Sequence, residues 1–537
     1  MNLIKKVRKF LKDNKIDYLL VNSTNEFLVE YAPLKENSRY LLTNFSGSTG
    51  DAVISQKDIF LFVDGRYHEQ ANLEVDKKLV TVVKMKLGES FSKHLAEKLS
   101  PNKTLAIVSK KVSQGNLEIF QTALKEKNIQ IKLLDFDLIK KQKAKSKKQK
   151  VYVTIDTKIT GLSADEKIKK IAKTLKKNEA ILVTNLEEIS YLLNLRDFSA
   201  NYSSKIQSGK YIITENHYRH PELVSGSHRL SILVKDLKTI YVDKISINAY
   251  DYASLDKKAA NLKINYIKQM KSIKTNAEIE HYKKCFERTD KALLATREFI
   301  EKNDNLSEYD ICQKLEENFY KFGAKSLSFK SIVAKDKNSA LAHYSKNSKD
   351  EILQDGSLVL IDCGAYYEGG YATDITRIFV IGKPSQLQKK VYTIVIKGFL
   401  KAFNKKITSK TTGFSLDKAV RKVLNEHKPT GFEFSHSLGH GIGISVHESP
   451  PSLSCSPLAK TLLKPNMCFT IEPGLYNAKC FGIRLENACY LAKSKKQKAK
   501  NEFIIKSFSK MCFEVKLIDF DLLTPTEKKQ LKKFEVK

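Results

Sequence analysis

The chain has 537 residues, 42% of them hydrophobic and 29% charged, and a formal net charge of +34. That length excludes a single hydrophobic core and points to roughly two to four domains, and the apolar content excludes a disordered chain. The charge would suit nucleic acid or an anionic membrane, but its lysines are spread over every predicted helix face, which argues against a dedicated nucleic-acid partner.

All eight cysteines fall between Cys285 and Cys512 with no C-x-x-C pair. This spacing predicts free thiols in a reducing cytoplasm and excludes a disulfide framework. No apolar stretch reaches the length of a signal-peptide core or a membrane span, so a soluble cytoplasmic protein without a membrane partner is expected.

In chain order, Leu3, Ile4, Val7, Phe10 and Leu11 recur at helical spacing, and a buried strand is predicted over 16–21. Strands over 52–54 and 59–63 follow, joined through Gln56-Lys57-Asp58, and Asp64-Gly65-Arg66-Tyr67 turns the chain into a helix. Together these elements describe an α/β domain over 1–145. The lysine-dense run 140–150 has no apolar residue larger than alanine and reads as a solvated linker. Ser163 and Glu166 form a predicted capping box, and Asn178 precedes a strand over 180–183. The order of helix, asparagine, strand, asparagine and acidic residue repeats that of 11–26, so residues 151–265 are expected to form a second α/β domain of similar design. Within it, His217, His220 and His228 lie in a polar interruption without partners at metal-ligand spacing and read as a surface insertion.

The third domain, 266–537, is expected to be α+β. Thr275 and Glu278 cap a long helix, and a second helix runs over 307–322. Asp362 closes the run Leu358-Val359-Leu360-Ile361. Beyond Glu368-Gly369-Gly370, Asp374 leads into Ile378-Phe379-Val380-Ile381. The two runs are predicted to pair as a hairpin with their carboxylates side by side. His436 and His440 flank glycines that exclude a helical zinc pair, and Glu472 and Glu486 each end a short apolar segment. A second lysine run, 493–500, nearly repeats the first and reads as exposed.

Four carboxylates and an imidazole in one pocket need cations between them. A metal pair about 3.5–4 Å apart is an established device for hydrolysis. The contexts DCGA, TDITR, GHGIG, IEPG and GIRLEN resemble those of the pita-bread metallopeptidases, and most of the chain, including Thr43 to Gly50 and Val63 to Tyr67, resembles the long, three-domain aminopeptidases P. The resemblance implies two creatinase-like α/β domains before a pita-bread catalytic domain. It also implies two divalent ions, with Mn²⁺ expected first and Co²⁺, Zn²⁺ or Fe²⁺ as alternatives. Asp374 and Glu486 would bridge both ions, Asp362 would hold one, and His440 with Glu472 the other; Glu472 would also handle the proton of the attacking water. His343, His436 and His447 are the implied additional active-site histidines, and Arg484 is placed to pair with a ligand carboxylate. The implied substrates are peptides with proline at position two, and the implied assembly is a homodimer. Two alternatives stay open: a prolidase confined to Xaa-Pro dipeptides, and a non-catalytic pita-bread binding module.

Overall fold

The structure, a computed structural model, describes residues 2–139, 152–215, 234–494 and 502–534. The run 140–150, the three histidines His217, His220 and His228, and all of the second lysine run beyond Ser494 lie outside these residues. The chain divides into two units. One comprises Met1–Val151, Ala164–Leu193 and Ile206–Ile267; the other comprises Tyr152–Ser163, Asn194–Lys205 and Lys268–Lys537.

In the first unit, the helix Asn2–Asp13 buries Val7 and Leu11, the inward positions of its periodic pattern. The strand Tyr18–Val21 lies inside a six-stranded sheet. It pairs antiparallel with Asp51–Ser55 and parallel with Thr104–Val108, which in turn carries Gln130–Leu134 in parallel. Asp51–Ser55 and Ile59–Val63 form the predicted hairpin. Its turn is closed locally, because the Ser55 hydroxyl accepts from the backbone N–H groups of Lys57 and Asp58 at 3.1 and 2.9 Å. A four-stranded sheet repeats the same neighbours. There Glu179–Val183 pairs antiparallel with Tyr211–Thr214 and parallel with Thr239–Val242, which carries Ala259–Asn261 in parallel. Asn178 takes a left-handed conformation, φ 66°, just before its strand, where asparagine is among the few side chains tolerated.

The second unit is built on a seven-stranded sheet. Ile332–Lys335, Leu358–Cys363, Ile375–Val380, Glu486–Lys493, Glu502–Ser507 and Ile407–Thr408 follow one another, and Cys468–Ile471 also pairs with Glu486–Lys493. Every pairing is antiparallel. The strand period of two sorts side chains between two cores. Val359, Ile361 and Phe379 pack with Leu293, Ile311 and Phe319 of the helices Asn276–Lys302 and Glu308–Lys321. Leu358, Leu360 and Ile378 pack with Val395, Phe399 and Val420 of the helices Gln386–Phe403 and Gly413–His427. Helices therefore cover both faces of these strands. That is why Leu358–Cys363 and Ile375–Val380 are buried throughout, polar residues included.

The first long helix begins at its predicted cap, and the second is capped in the same way at the predicted start. The Glu278 N–H donates to Thr275 Oγ1 at 3.1 Å, and the Thr275 N–H donates to Glu278 Oε2 at 2.6 Å. Ser307 and Asp310 form the same reciprocal box at the next helix.

Candidate metal centre

The site lies where the even-numbered face of the central strands changes from apolar to acidic. Asp362 stands opposite Thr376, and Thr376 opposite Glu486. Directly opposed residues share a face, so these three side chains form a row across neighbouring strands. Asp374, two residues before Thr376, points to the same side. It precedes the strand Ile375–Val380 rather than lying within it. The chain between the two carboxylates is longer than a tight hairpin. It pairs Ala365–Tyr366 with Ser326–Leu327 and closes a turn from the Gly370 N–H to the Tyr367 carbonyl at 2.8 Å. The last pair of the next ladder, Ile471 with Asn487, brings the chain at Glu472 toward Glu486.

His440 enters from the short strand Gly439–His440, not from a helix. Its backbone N–H donates to Thr470 Oγ1 at 3.1 Å, and a β-carbon on Gly439 would overlap the Thr470 carbonyl oxygen. Glycine at 439 is what lets the imidazole strand lie this close to the glutamate strand. His440 Nε2 is 3.5 Å from both Asp374 Oδ2 and Glu472 Oε1. One ligating atom each from Asp374, His440 and Glu486 lie within 4.8 Å of one another.

Asp362 is tied in through Arg484, whose Nη2 donates to Asp362 Oδ2 at 2.6 Å. The same guanidinium donates from Nε to Thr376 Oγ1 at 3.1 Å and from Nη1 to the Tyr476 hydroxyl at 2.8 Å. The Tyr476 hydroxyl also lies 2.8 Å from His436 Nε2, and His436 Nδ1 lies 2.8 Å from the Ser437 carbonyl. Arg484 pairs with Asp362 as anticipated. Tyr476, Thr376 and Thr470 are participants that the sequence did not single out, since nothing local marks a hydroxyl whose partners are far away in the chain.

Burial and mutual repulsion act on Asp374, Glu486 and Glu472. Burial, then Glu486, Asp362 and Glu472, push Asp374 well above the carboxylate range. Burial, then Glu472 and Asp362, do the same to Glu486. Glu472 is pushed up to about 7, first by burial and then by Asp362, with Arg484 and His447 opposing. Arg484, although burial disfavours its charge, is held cationic by Tyr476 and the carboxylates around it. One guanidinium does not balance four acids. Asp362 Oδ1 is moreover buried without a hydrogen-bond partner. Such an oxygen beside crowded carboxylates and one imidazole is the donor set that divalent cations satisfy, so the residues present fit a metal centre.

The remaining histidines are placed differently. The His447 ring lies edge-on to His440 with centroids 4.4 Å apart. The loop carrying it is closed by Glu448, whose N–H donates to the Gly441 carbonyl at 2.8 Å and whose Oε2 accepts from the Ile444 N–H at 2.9 Å. Glu448 is itself buried against Lys274 and Lys271, the latter at 3.3 Å. His343 is half-buried just beyond the 3-10 turn Asp336–Ala340. The Ser339 hydroxyl of that turn accepts from the Gly482 N–H and donates to the Gly482 carbonyl, both at 2.9 Å.

The model of metallopeptidase family M24 matches residues 280–493, and two models of the creatinase/prolidase N-terminal domain match 4–141 and 141–218. Xaa-Pro aminopeptidase 1 of Dictyostelium discoideum is 31% identical over 98% of this chain and 90% of its own. The crystal structure of X-prolyl aminopeptidase from Caenorhabditis elegans, described as a cytosolic enzyme with a di-nuclear active site, superposes with a TM-score of 0.88 at 21% identity, over 99% of this chain and 95% of that one. Dipeptidase PepE from Mycobacterium ulcerans is similar over 66% of this chain and 97% of its own, at 19% identity and a TM-score of 0.53. The fold is that of creatinase-type N-terminal domains followed by a pita-bread domain. With the carboxylate row and its imidazole in place, the chain belongs to metallopeptidase family M24, among the Xaa-Pro aminopeptidases.

Proposed function

We propose that this chain is a metal-dependent aminopeptidase that removes an N-terminal residue lying before proline. The observation that carries the proposal is the buried row of Asp362, Asp374, Glu486 and Glu472 met by His440, with one Asp362 oxygen left open. In this reading Asp374 and Glu486 would serve both of two divalent ions, Asp362 would help hold one, and His440 with Glu472 the other. Mn²⁺ is the expected metal for so oxygen-rich a set, with Co²⁺, Zn²⁺ and Fe²⁺ as competitors. Bound there, the pair would polarise the scissile carbonyl and make a water nucleophilic near neutral pH.

The chain's own groups do the rest. Arg484 fixes Asp362 by one oxygen and leaves the other free to ligate. Glu472 takes the proton of the attacking water at its carboxylate. His447, against His440, donates to the oxyanion that develops on the carbonyl. His436, held by Tyr476 and the Ser437 carbonyl, and His343 contact the substrate. A proline at position two lacks a backbone N–H and has a fixed φ. A site that accepts it uses the ring as a shape element rather than the missing donor.

A cytoplasmic homodimer belongs to the same proposal. Its eight cysteines, all free, and the cytosolic relative from Caenorhabditis elegans support the compartment. The division into domains over 1–145, 151–265 and 266–537 is proposed with it, supported by family models that end at 141 and 218 and begin at 280.

The test is the bond cut. Mn²⁺-loaded protein is expected to release the first residue from Xaa-Pro-Yaa peptides and to leave matched Xaa-Ala-Yaa peptides intact. Cleavage confined to Xaa-Pro dipeptides would replace this reading with a prolidase, and equal cleavage of the alanine peptides would remove the proline specificity.

A further inference from the structure

Glu308, the first residue of the helix Glu308–Lys321, is buried at 0% exposure and takes four hydrogen bonds from one loop. Its Oε1 accepts from the Lys335 N–H at 2.7 Å and from Asn338 Nδ2 at 2.9 Å. Its Oε2 accepts from the Tyr344 hydroxyl at 2.6 Å and from the Ser348 N–H at 2.9 Å. All four donors are uncharged, and they lie on both sides of His343. A buried carboxylate is costly unless its lone pairs are filled, and here the filling is done wholly by the segment 335–348.

The loop between these contacts is a closed frame. Asn338 O accepts from the Leu341 N–H at 3.0 Å, and Leu341 O accepts from the Tyr344 N–H at 2.9 Å. Asn338 Nδ2 also donates to the Tyr344 hydroxyl at 3.2 Å. His343 lies inside this circuit, one residue before Tyr344. The loop is referenced to the site as well. Asp336 Oδ1 accepts at 2.8 Å from the N–H of Leu358, the first residue of the strand carrying Asp362. Ser339 is pinned to Gly482, two residues before Arg484.

We infer that Glu308 is a positioning residue for His343: it clamps the loop 335–348 from the helix side while Asp336 and Ser339 tie it to the strands of the metal centre. The inference rests on the proposed role of His343 at the substrate. An amide at 308 keeps the size of the side chain but replaces an acceptor with a donor, so one oxygen's pair of contacts fails. The imidazole then loses its reference to the reacting carbonyl, while Asp362, Asp374, His440, Glu472 and Glu486 keep theirs.

The test compares full-length, metal-loaded E308Q, H343A and the double variant with the wild type, using an Xaa-Pro-Yaa peptide and metal analysis by mass spectrometry. E308Q is expected to lower kcat on the order of 10- to 100-fold with metal content unchanged, and the double variant to be no slower than H343A alone. A double variant slower than H343A by the full factor of E308Q would overturn the inference, because independent effects add. Spectra of ¹³Cε1-labelled histidine give a readout that needs no activity. E308Q should move the resonance that H343A removes and leave that of His447 in place. If that resonance moves but the wild type cuts no Xaa-Pro peptide, the clamp stands and the proposed function fails. If the wild type cuts and the resonance stays, the clamp fails and the function stands. Should E308Q not fold, N338A and Y344F each remove one strut and carry the same comparisons.

Discussion

Thr376 stands across the antiparallel pair from Glu486 and donates its hydroxyl to Glu486 Oε2 at 2.8 Å while accepting from Arg484 Nε at 3.1 Å. One hydroxyl thus orients a carboxylate of the row and the only guanidinium bonded to Asp362 among the described residues. Thr376→Val keeps the volume and the β-branched shape but leaves both buried partners unsatisfied. That change should destabilise the fold by about 1–3 kcal/mol and weaken metal binding roughly 10- to 100-fold. Chemical denaturation and competition titration against a metal chelator measure the two effects. Unchanged affinity would mean that Glu486 is oriented by the ladder alone.

Asp374 offers a ligating oxygen within 4.8 Å of ligating atoms of both His440 and Glu486. Asp374→Asn should reduce tightly bound metal to a trace and abolish peptide hydrolysis, because in the proposed arrangement this carboxylate serves both ions. Metal analysis by mass spectrometry on the purified variant decides the matter. Two ions per chain and full activity would sink the ligand assignment.

The strand Leu358–Cys363 was legible because a short apolar run closed by an acid leaves a local trace, and the capping box at Thr275 because its partners are three residues apart. The seat of Glu448 was not legible, since it meets Lys274, 174 residues away, in a contact that no window of sequence contains. Arg484 could be assigned to a ligand carboxylate from the motif it shares with Glu486, whereas its hold on Tyr476 and Thr376 depends on a turn of chain and a ladder register. Glu308 reads in sequence as an ordinary first-turn acid, favourable at a helix N-terminus. Only the fold shows that its oxygens face the loop 335–348. The run Leu358-Val359-Leu360-Ile361 is apolar at every position and signals burial on both faces, unlike the alternating pattern of a half-exposed antiparallel strand.

His281 gives the acid limb of stability a specific source. Burial pushes its pKa down to about 4, outweighing Glu368, which favours the charge; Lys284, Arg288 and Arg196 oppose it. The neutral ring accepts from the Gly369 N–H at 3.2 Å, under the turn joining the two carboxylate strands. Its folded pKa lies below the unfolded value of 6.5, so the unfolded chain binds more protons between the two and stability falls as pH drops from about 6.5 to 4. The full shift corresponds to about 3 kcal/mol, and partial exposure of the ring trims this toward about 2 kcal/mol. His281→Gln keeps an acceptor and removes the titration. Urea unfolding of both proteins at pH 7 and pH 4.5 should show a smaller acid loss in the variant, and equal losses would assign the acid limb to other groups.

His447 separates catalysis from metal holding. Its ring stacks edge-on to His440 at 4.4 Å, and its charge acts on Glu472, yet the three-residue cluster of ligating atoms is made without it. The loop that presents it is fixed by backbone and carboxylate contacts of Glu448 and by that residue's buried lysines. These contacts remain when the ring is removed. Histidine 447→alanine should therefore fold, keep wild-type metal content and lose turnover roughly 10²- to 10³-fold, the usual effect of deleting one donor to a developing oxyanion. KM for an Xaa-Pro-Yaa peptide should change little, since a contact made only in the transition state appears in kcat. Loss of metal in proportion to activity would instead make His447 a ligand. A rise in KM with kcat preserved would make it a ground-state substrate contact, and the oxyanion role would pass to another group.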